Sequence, residues 1–80
     1  MITEKHENGS ISIDTNDGRH FFAHFINGSY NLIEVVSGGC VGIGRIKDEG
    51  SINHIILRWL KLNKEVPLAE PLKNQPSNGV

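Results

Sequence analysis

Between residues 10 and 46, apolar and polar side chains alternate in four short runs, each closed by a turn signal. Ser10-Ile11-Ser12-Ile13-Asp14 repeats with a period of two, the spacing of a half-buried strand. "RHFFAHFI" (19–26), "SYNLIEVV" (29–36) and "CVGIGRI" (40–46) follow. "TNDG", Asn27-Gly28 and Gly38-Gly39 separate the runs and supply the residue types that tight hairpin turns require. From Asp48 onward the period changes. Ile52, Ile55, Ile56, Trp59, Leu60 and Leu62 recur at three- and four-residue steps, one side of a helix over 51–64. Asp48 or Ser51 caps its start, and Pro67, Pro71 and Pro76 prevent its continuation. The pattern predicts an α+β fold: a four-stranded antiparallel meander with one C-terminal helix packed on one face, ββββα. Residues 1–9 read as a flexible N-terminus, 10–64 as the single domain and 65–80 as an extended or disordered tail.

The turns set the register. A type I turn through Asn16 and Asp17, with Gly18 left-handed, pairs Thr15 with Arg19 and places Ile13 opposite Phe21. A two-residue Asn27-Gly28 loop pairs Phe25 with Tyr30 and Ala23 with Leu32. A two-residue Gly38-Gly39 loop pairs Ser37 with Cys40 and Val36 with Val41. Two faces result, because strand side chains alternate. Face A carries Ile11, Ile13, Phe21, Ala23, Phe25, Tyr30, Leu32, Val36, Val41 and Ile43, interrupted by Glu34 and Arg45 on a diagonal. Face B carries Phe22, Ile26, Ile33, Val35 and Ile46, with His20, His24 and Asn31, and the glycines Gly42 and Gly44.

Those glycines raise a choice between phosphate cradle and packing surface. "GGCVGIGR" has one G-x-G but neither the third glycine of a dinucleotide fingerprint nor the Gly-Lys-Ser/Thr of a P-loop. The helix also starts too late to aim its N-terminus at them. Two glycines on one strand face let another element approach closely. Gly42 and Gly44 are therefore expected to seat the helix. On that account Gly44→Val overpacks the contact and costs on the order of 1–3 kcal/mol.

Composition narrows the function more than it identifies it. The chain has 80 residues, 8 Lys and Arg, 9 Asp and Glu, and a formal charge of −1. That balance gives no general attraction to nucleic acid or anionic lipid. A single cysteine allows no internal disulfide and fits a reducing, cytoplasmic setting. "MITEKHENGS" has no apolar run of a signal peptide, and no stretch approaches the length of a membrane span. The Asn-Gly-Ser triplets at Asn8 and Asn27 read as turns rather than glycosylation sites.

No catalytic, cofactor or metal constellation emerges. His20 and His24 lie four apart on a strand, roughly 13 Å at the usual rise, too far to share a metal. Cys40 reads as a small strand residue after a turn. Phe22, Phe25, Tyr30 and Trp59 could stack bases, with Arg19, Arg45, Lys47, Arg58, Lys61 and Lys64 on phosphates, but the acidic residues cancel that charge. Area is the stronger consideration, since one helix covers one face of the sheet. With the helix on face B, face A is left as a partner-binding surface of Phe21, Phe25, Tyr30, Leu32, Glu34, Val41, Ile43 and Arg45. With the helix on face A, the smaller exposed surface is Phe22, Ile26, Ile33 and Val35.

The order of hairpins, glycine-containing strand and single helix, with Gly39-Cys40-Val41 leading into it, resembles HicB-like antitoxins of the partial double-stranded-RNA-binding fold. Those carry Pro-Gly-Cys and an alanine-rich acidic helix start where this chain has Gly-Gly-Cys and "SINHII". In size, charge and plan the chain also resembles small phage-encoded inhibitors of the anti-CRISPR type, which lack catalytic residues and occupy a partner's surface. The expectation is a non-enzymatic module that binds a protein partner or itself as a homodimer. A nucleic-acid-binding or antitoxin-like regulator is the alternative.

Overall fold

Residues 1–68 are described by the computed structural model. Five strands form one antiparallel sheet in sequence order: β1 (Ile2–Lys5), β2 (Ile11–Asp14), β3 (His20–Ile26), β4 (Ser29–Val36) and β5 (Gly39–Ile46). A single 3₁₀ turn at Glu49–Ser51 leads into α1 (Ile52–Leu62). The class and the meander are as the hydrophobic pattern predicts, with one strand more. Residues 1–9 are not a loose end, because Ile2–Lys5 pairs with β2, Thr3 opposite Ile13 and Lys5 opposite Ile11. Residues 65–68 follow α1 without forming a helix or strand. The expectation for 69–80 lies outside the described residues.

Two of the hairpins have the predicted register. Gly18, at φ +86°, closes the loop in which Gly18 N–H donates to Thr15 C=O and Thr15 N–H to Arg19 C=O. That sets Ile13 opposite Phe21 and Ile11 opposite Ala23. Asn27 and Gly28 both have positive φ, as a twist-matched two-residue turn demands, and pair Phe25 with Tyr30. The last hairpin differs. Its loop is Ser37-Gly38, with Gly38 alone at positive φ, so Val36 pairs with Gly39 and Glu34 with Val41. A bulge then shifts the register between Leu32 and Ile33, bringing Gly44 opposite Leu32 and Ile46 opposite Tyr30. A bulge inserts one residue and reverses the parity beyond it. Ile46 therefore belongs to the core and Arg45 to the other side, the reverse of the parity reading.

The helix packs on face A. Ile52 and Ile56 of α1 join Ile11, Ile13, Phe21, Ala23, Tyr30, Leu32 and Ile46 in one buried cluster, with Ile43, Ile55, Trp59 and Leu60 packed around it. Two polar fastenings hold the ends of the 3₁₀–helix segment. At its start, Glu49 meets Lys5 Nζ at 2.9 Å and accepts a 3.3 Å hydrogen bond from Tyr30 Oη. The hydrogen bond from Lys5 holds the Glu49 carboxyl below its ordinary value, and burial together with Glu49 raises the Tyr30 hydroxyl. At its end lies a buried cluster around Glu34, described below.

Candidate functional site

Because face A lies under the helix, face B is the open surface among the described residues. Its three central rungs follow from the strand register. One is Ile2, Asp14, His20, Val35, Cys40; the next Glu4, Ser12, Phe22, Ile33, Gly42; the third His24, Asn31, Arg45. Phe22 sits at the centre. His6 and His24 each place a ring centroid 6.1 Å from that of Phe22. His6 Nε2 and Ser12 Oγ are hydrogen-bonded at 2.7 Å, which holds the imidazole against the ring. The turn beyond β1 adds Glu7 and Asn8, and these with His6 and Phe22 line a depression of about 440 Å³. Val35, diagonal to Phe22 on β4, is 45% exposed and Ile26, at the far end of β3, is 44% exposed, while Phe22 and Ile33 are half-buried. The face mixes apolar centres with neutral and oppositely charged polar groups.

This arrangement corrects the candidate surface drawn from parity. Phe21, Tyr30, Leu32 and Val41 are core residues, buried to 9% exposure or less. Ile43 packs against the core from the bulge, and Arg45 lies on the opposite side. Of the eight residues assigned to the partner surface, only Phe25 and Arg45 are exposed, and they lie on different faces. The physical reason is that the helix follows the denser apolar face, and the bulge divides the two glycines, with Gly42 on face B opposite Ile33 and Gly44 on face A opposite Leu32. Gly42 and Gly44 do not seat the helix: a Cβ built at either meets nothing within 4 Å. The overpacking expected for Gly44→Val therefore has no neighbour to act on. The substitution should leave the thermal midpoint within the shift that about 0.5 kcal/mol produces, as open surface positions do.

Glu34 is the largest departure from expectation. It is 1% exposed and pairs not with Arg45 but with Arg19, itself 5% exposed. Arg19 Nε and Nη2 donate to the two carboxylate oxygens at 2.7 and 2.8 Å, a bidentate fork. Trp59 Nε1 donates to Oε1 at 2.9 Å. Arg19 Nη1 also donates to the Asn63 carbonyl just past the helix. Burial alone would raise the Glu34 carboxyl, but the hydrogen bonds from Arg19 and Trp59 outweigh it and hold the group below its ordinary value. The same hydrogen bond to Glu34 raises Arg19 against the opposing effect of burial. The cluster ties the helix end to the start of the β3 hairpin arm, through Arg19, and to β4, through Glu34. It is a structural clasp, enclosed from solvent.

Among the other chemistry-bearing side chains, contact goes no further than one exposed pair. His20 Nδ1 and Asp14 Oδ1 are 2.7 Å apart on exposed strands. Cys40 is exposed on β5, separated from His20 by all of β4, roughly 9–10 Å at the usual strand spacing. Among the described residues, no three His, Cys, Asp or Glu side chains converge as metal ligands would. Among the described residues, no helix is long and apolar enough to cross a membrane. The base-stacking set is dispersed as well. Tyr30 is buried with Phe25 packed on it at 4.9 Å, and Trp59 and Arg19 are committed to Glu34. Only Phe22 stands on the open sheet. Comparison with protein-family models, with curated proteins and with solved structures finds no match.

Proposed function

We propose that this chain is a small non-enzymatic protein-binding module whose docking surface is face B of the sheet. The observation that supports this reading is the side on which the helix packs. With α1 on face A, the described chain leaves an open sheet face centred on Phe22, with Ile33 opposite it, Val35 on the diagonal and Ile26 at the end of β3. A central aromatic among aliphatic side chains and a polar rim is the composition of a recognition patch. Arg45 is offset there by Glu4 and Asp14, so the face has no excess of positive charge to attract phosphate. A nucleic-acid-binding or antitoxin-like role has correspondingly less support. In its most specific form the reading is of a phage-type inhibitor that acts by occupying the surface of a host defence complex, the CRISPR type included. A second copy of the chain is the other occupant this face would accept.

Phe22→Ser tests the reading. The residue is only half-buried and lies across the sheet from α1, so the variant should keep most of its stability. Sedimentation of the pure protein reads self-association. Affinity capture from the cells that produce it reads other partners, with Leu57→Ser as a control on the helix. A protein species, or the chain's own dimer, held by wild type and by Leu57→Ser and lost in Phe22→Ser is the expected outcome. A monomer whose captured set is the same with and without Phe22 would remove face B from consideration.

A further inference from the structure

A second surface, on the far side of the molecule from face B, has a different chemistry. The fourteen residues from Ser51 to Lys64 contain Arg58, Lys61 and Lys64 and no Asp or Glu, in a chain whose formal charge is −1. On the solvent side of α1, His54, Leu57, Arg58, Lys61 and Leu62 line a depression of about 440 Å³. Leu57 is 55% and Leu62 75% exposed, so both reach water rather than the sheet. Among the described residues, no carboxylate lies within ion-pair distance of Arg58 or Lys61. A basic residue in the last turn complements the helix dipole, which accounts for Lys61. It accounts neither for Arg58 nor for two leucines set into the same depression.

We infer that the outer face of α1 is a docking site for an acidic amphipathic segment of another protein. Carboxylates of that segment would face Arg58 and Lys61, and an apolar side chain would lie between Leu57 and Leu62. Charge complementarity selects the sign of the partner. The leucines select its class. A phosphate backbone has nothing to place on exposed aliphatic side chains, whereas an amphipathic peptide docks through them. The site is independent of face B and leaves that face free, so one small domain would contact two partners on opposite sides.

The test uses the full chain and a synthetic helical peptide with leucine at every fourth position and glutamate between. A poly-uridine RNA of the same length serves as the phosphate probe. Amide chemical shifts map the contact, and titration at two salt concentrations gives its affinity. The expected result is a set of shifts confined to α1 with the peptide, weaker binding at higher salt, and a loss of about tenfold in affinity in Arg58→Glu and in Leu57→Ser. Both substitutions are at exposed positions, and melting curves confirm that the variants are folded. Phe22→Ser should bind the peptide as wild type does, so failure of this site and failure of face B are separable. Tighter binding of RNA than of peptide would overturn the inference in favour of a phosphate ligand. Shifts on face B, or none at all, would overturn it outright.

Discussion

Glu34→Ala is expected to cost about 3–5 kcal/mol of folding stability, read as a fall in the urea midpoint. The cause is less the lost attraction than what remains. Arg19 is 5% exposed and would keep a buried positive charge with no counterion. Trp59 Nε1–H would lose its acceptor in the same enclosed place. A domain of this size has a total stability near the lower end of about 5–15 kcal/mol, so the variant should be largely unfolded well below the wild-type midpoint. Removing both charges tests the mechanism. Arg19→Met with Glu34→Leu should recover part of the loss, because no lone charge is then buried. Recovery should stop short of wild type, since Trp59 Nε1–H and the Asn63 carbonyl still lack their partners. A double variant no better than the single one would show that the apolar replacements pack badly. A single variant with an unchanged midpoint would show that the clasp does not hold the helix.

The same cluster fixes an acid limb of stability. The folded Glu34 carboxyl is held below the ordinary glutamate value of 4.5. A carboxyl with a depressed folded value stabilises the protein above its unfolded value. That contribution fades as pH falls through the folded one. Stability from this group should therefore be level from neutral pH down to about 5 and decline below about 4.5. The gap between wild type and Glu34→Ala should narrow over that decline, measured as urea midpoints at a series of pH values. Asp17 and Glu49, also held below their ordinary values, slope in the same direction in both proteins and cancel from the comparison.

Ile56→Ala is the second large effect. Ile56 is 0% exposed, at the centre of the contact between α1 and face A. Deleting a buried isoleucine side chain beyond Cβ loses its transfer energy and leaves a cavity, together about 2–5 kcal/mol. The neighbouring Leu57→Ala, at 55% exposure, should stay within about 0.5 kcal/mol. Adjacent positions on one helix thus distinguish its two sides. Equal losses at both would mean that α1 does not pack on face A as described.

The hairpins legible in the sequence are those whose turn residues and apolar alternation agree on one register. Asn16-Asp17-Gly18 has its one left-handed residue last and Asn27-Gly28 places both residues at positive φ, and these turns set the register of β2, β3 and most of β4. Ser37-Gly38-Gly39 offers two registers, and the chain takes the one that Gly38 sets. The bulge beyond it gives no signal in the alternation, yet it decides that Ile46 is inside and Arg45 outside. β1 escaped notice because all four of its residues are exposed, which leaves no apolar rhythm to detect. The choice of covered face turned on the same point. Two glycines suggested a seat, but the helix followed the larger apolar area. The Arg19–Glu34 pair is legible in the register of the β3–β4 hairpin. Glu34 is directly opposite Phe21, and Arg19 lies two residues before Phe21, the diagonal position at which long side chains meet. The diagonal between Glu34 and Arg45 exists only in a register that the bulge displaces.

The irregularity at Ile43 bears on how the protein behaves when concentrated. β5 is an outer strand of eight residues, with one side unpaired within the sheet. Such a strand is a ready nucleus for fibre growth by neighbouring chains. The step in its ladder leaves the regular stretch at Gly39–Gly42 short, and charged Arg45 and Lys47 flank the remainder. An incoming strand could match one half of that border or the other, but not both in one straight pairing. The kink thus acts as a safeguard for solubility on a molecule that otherwise shows so much of its sheet.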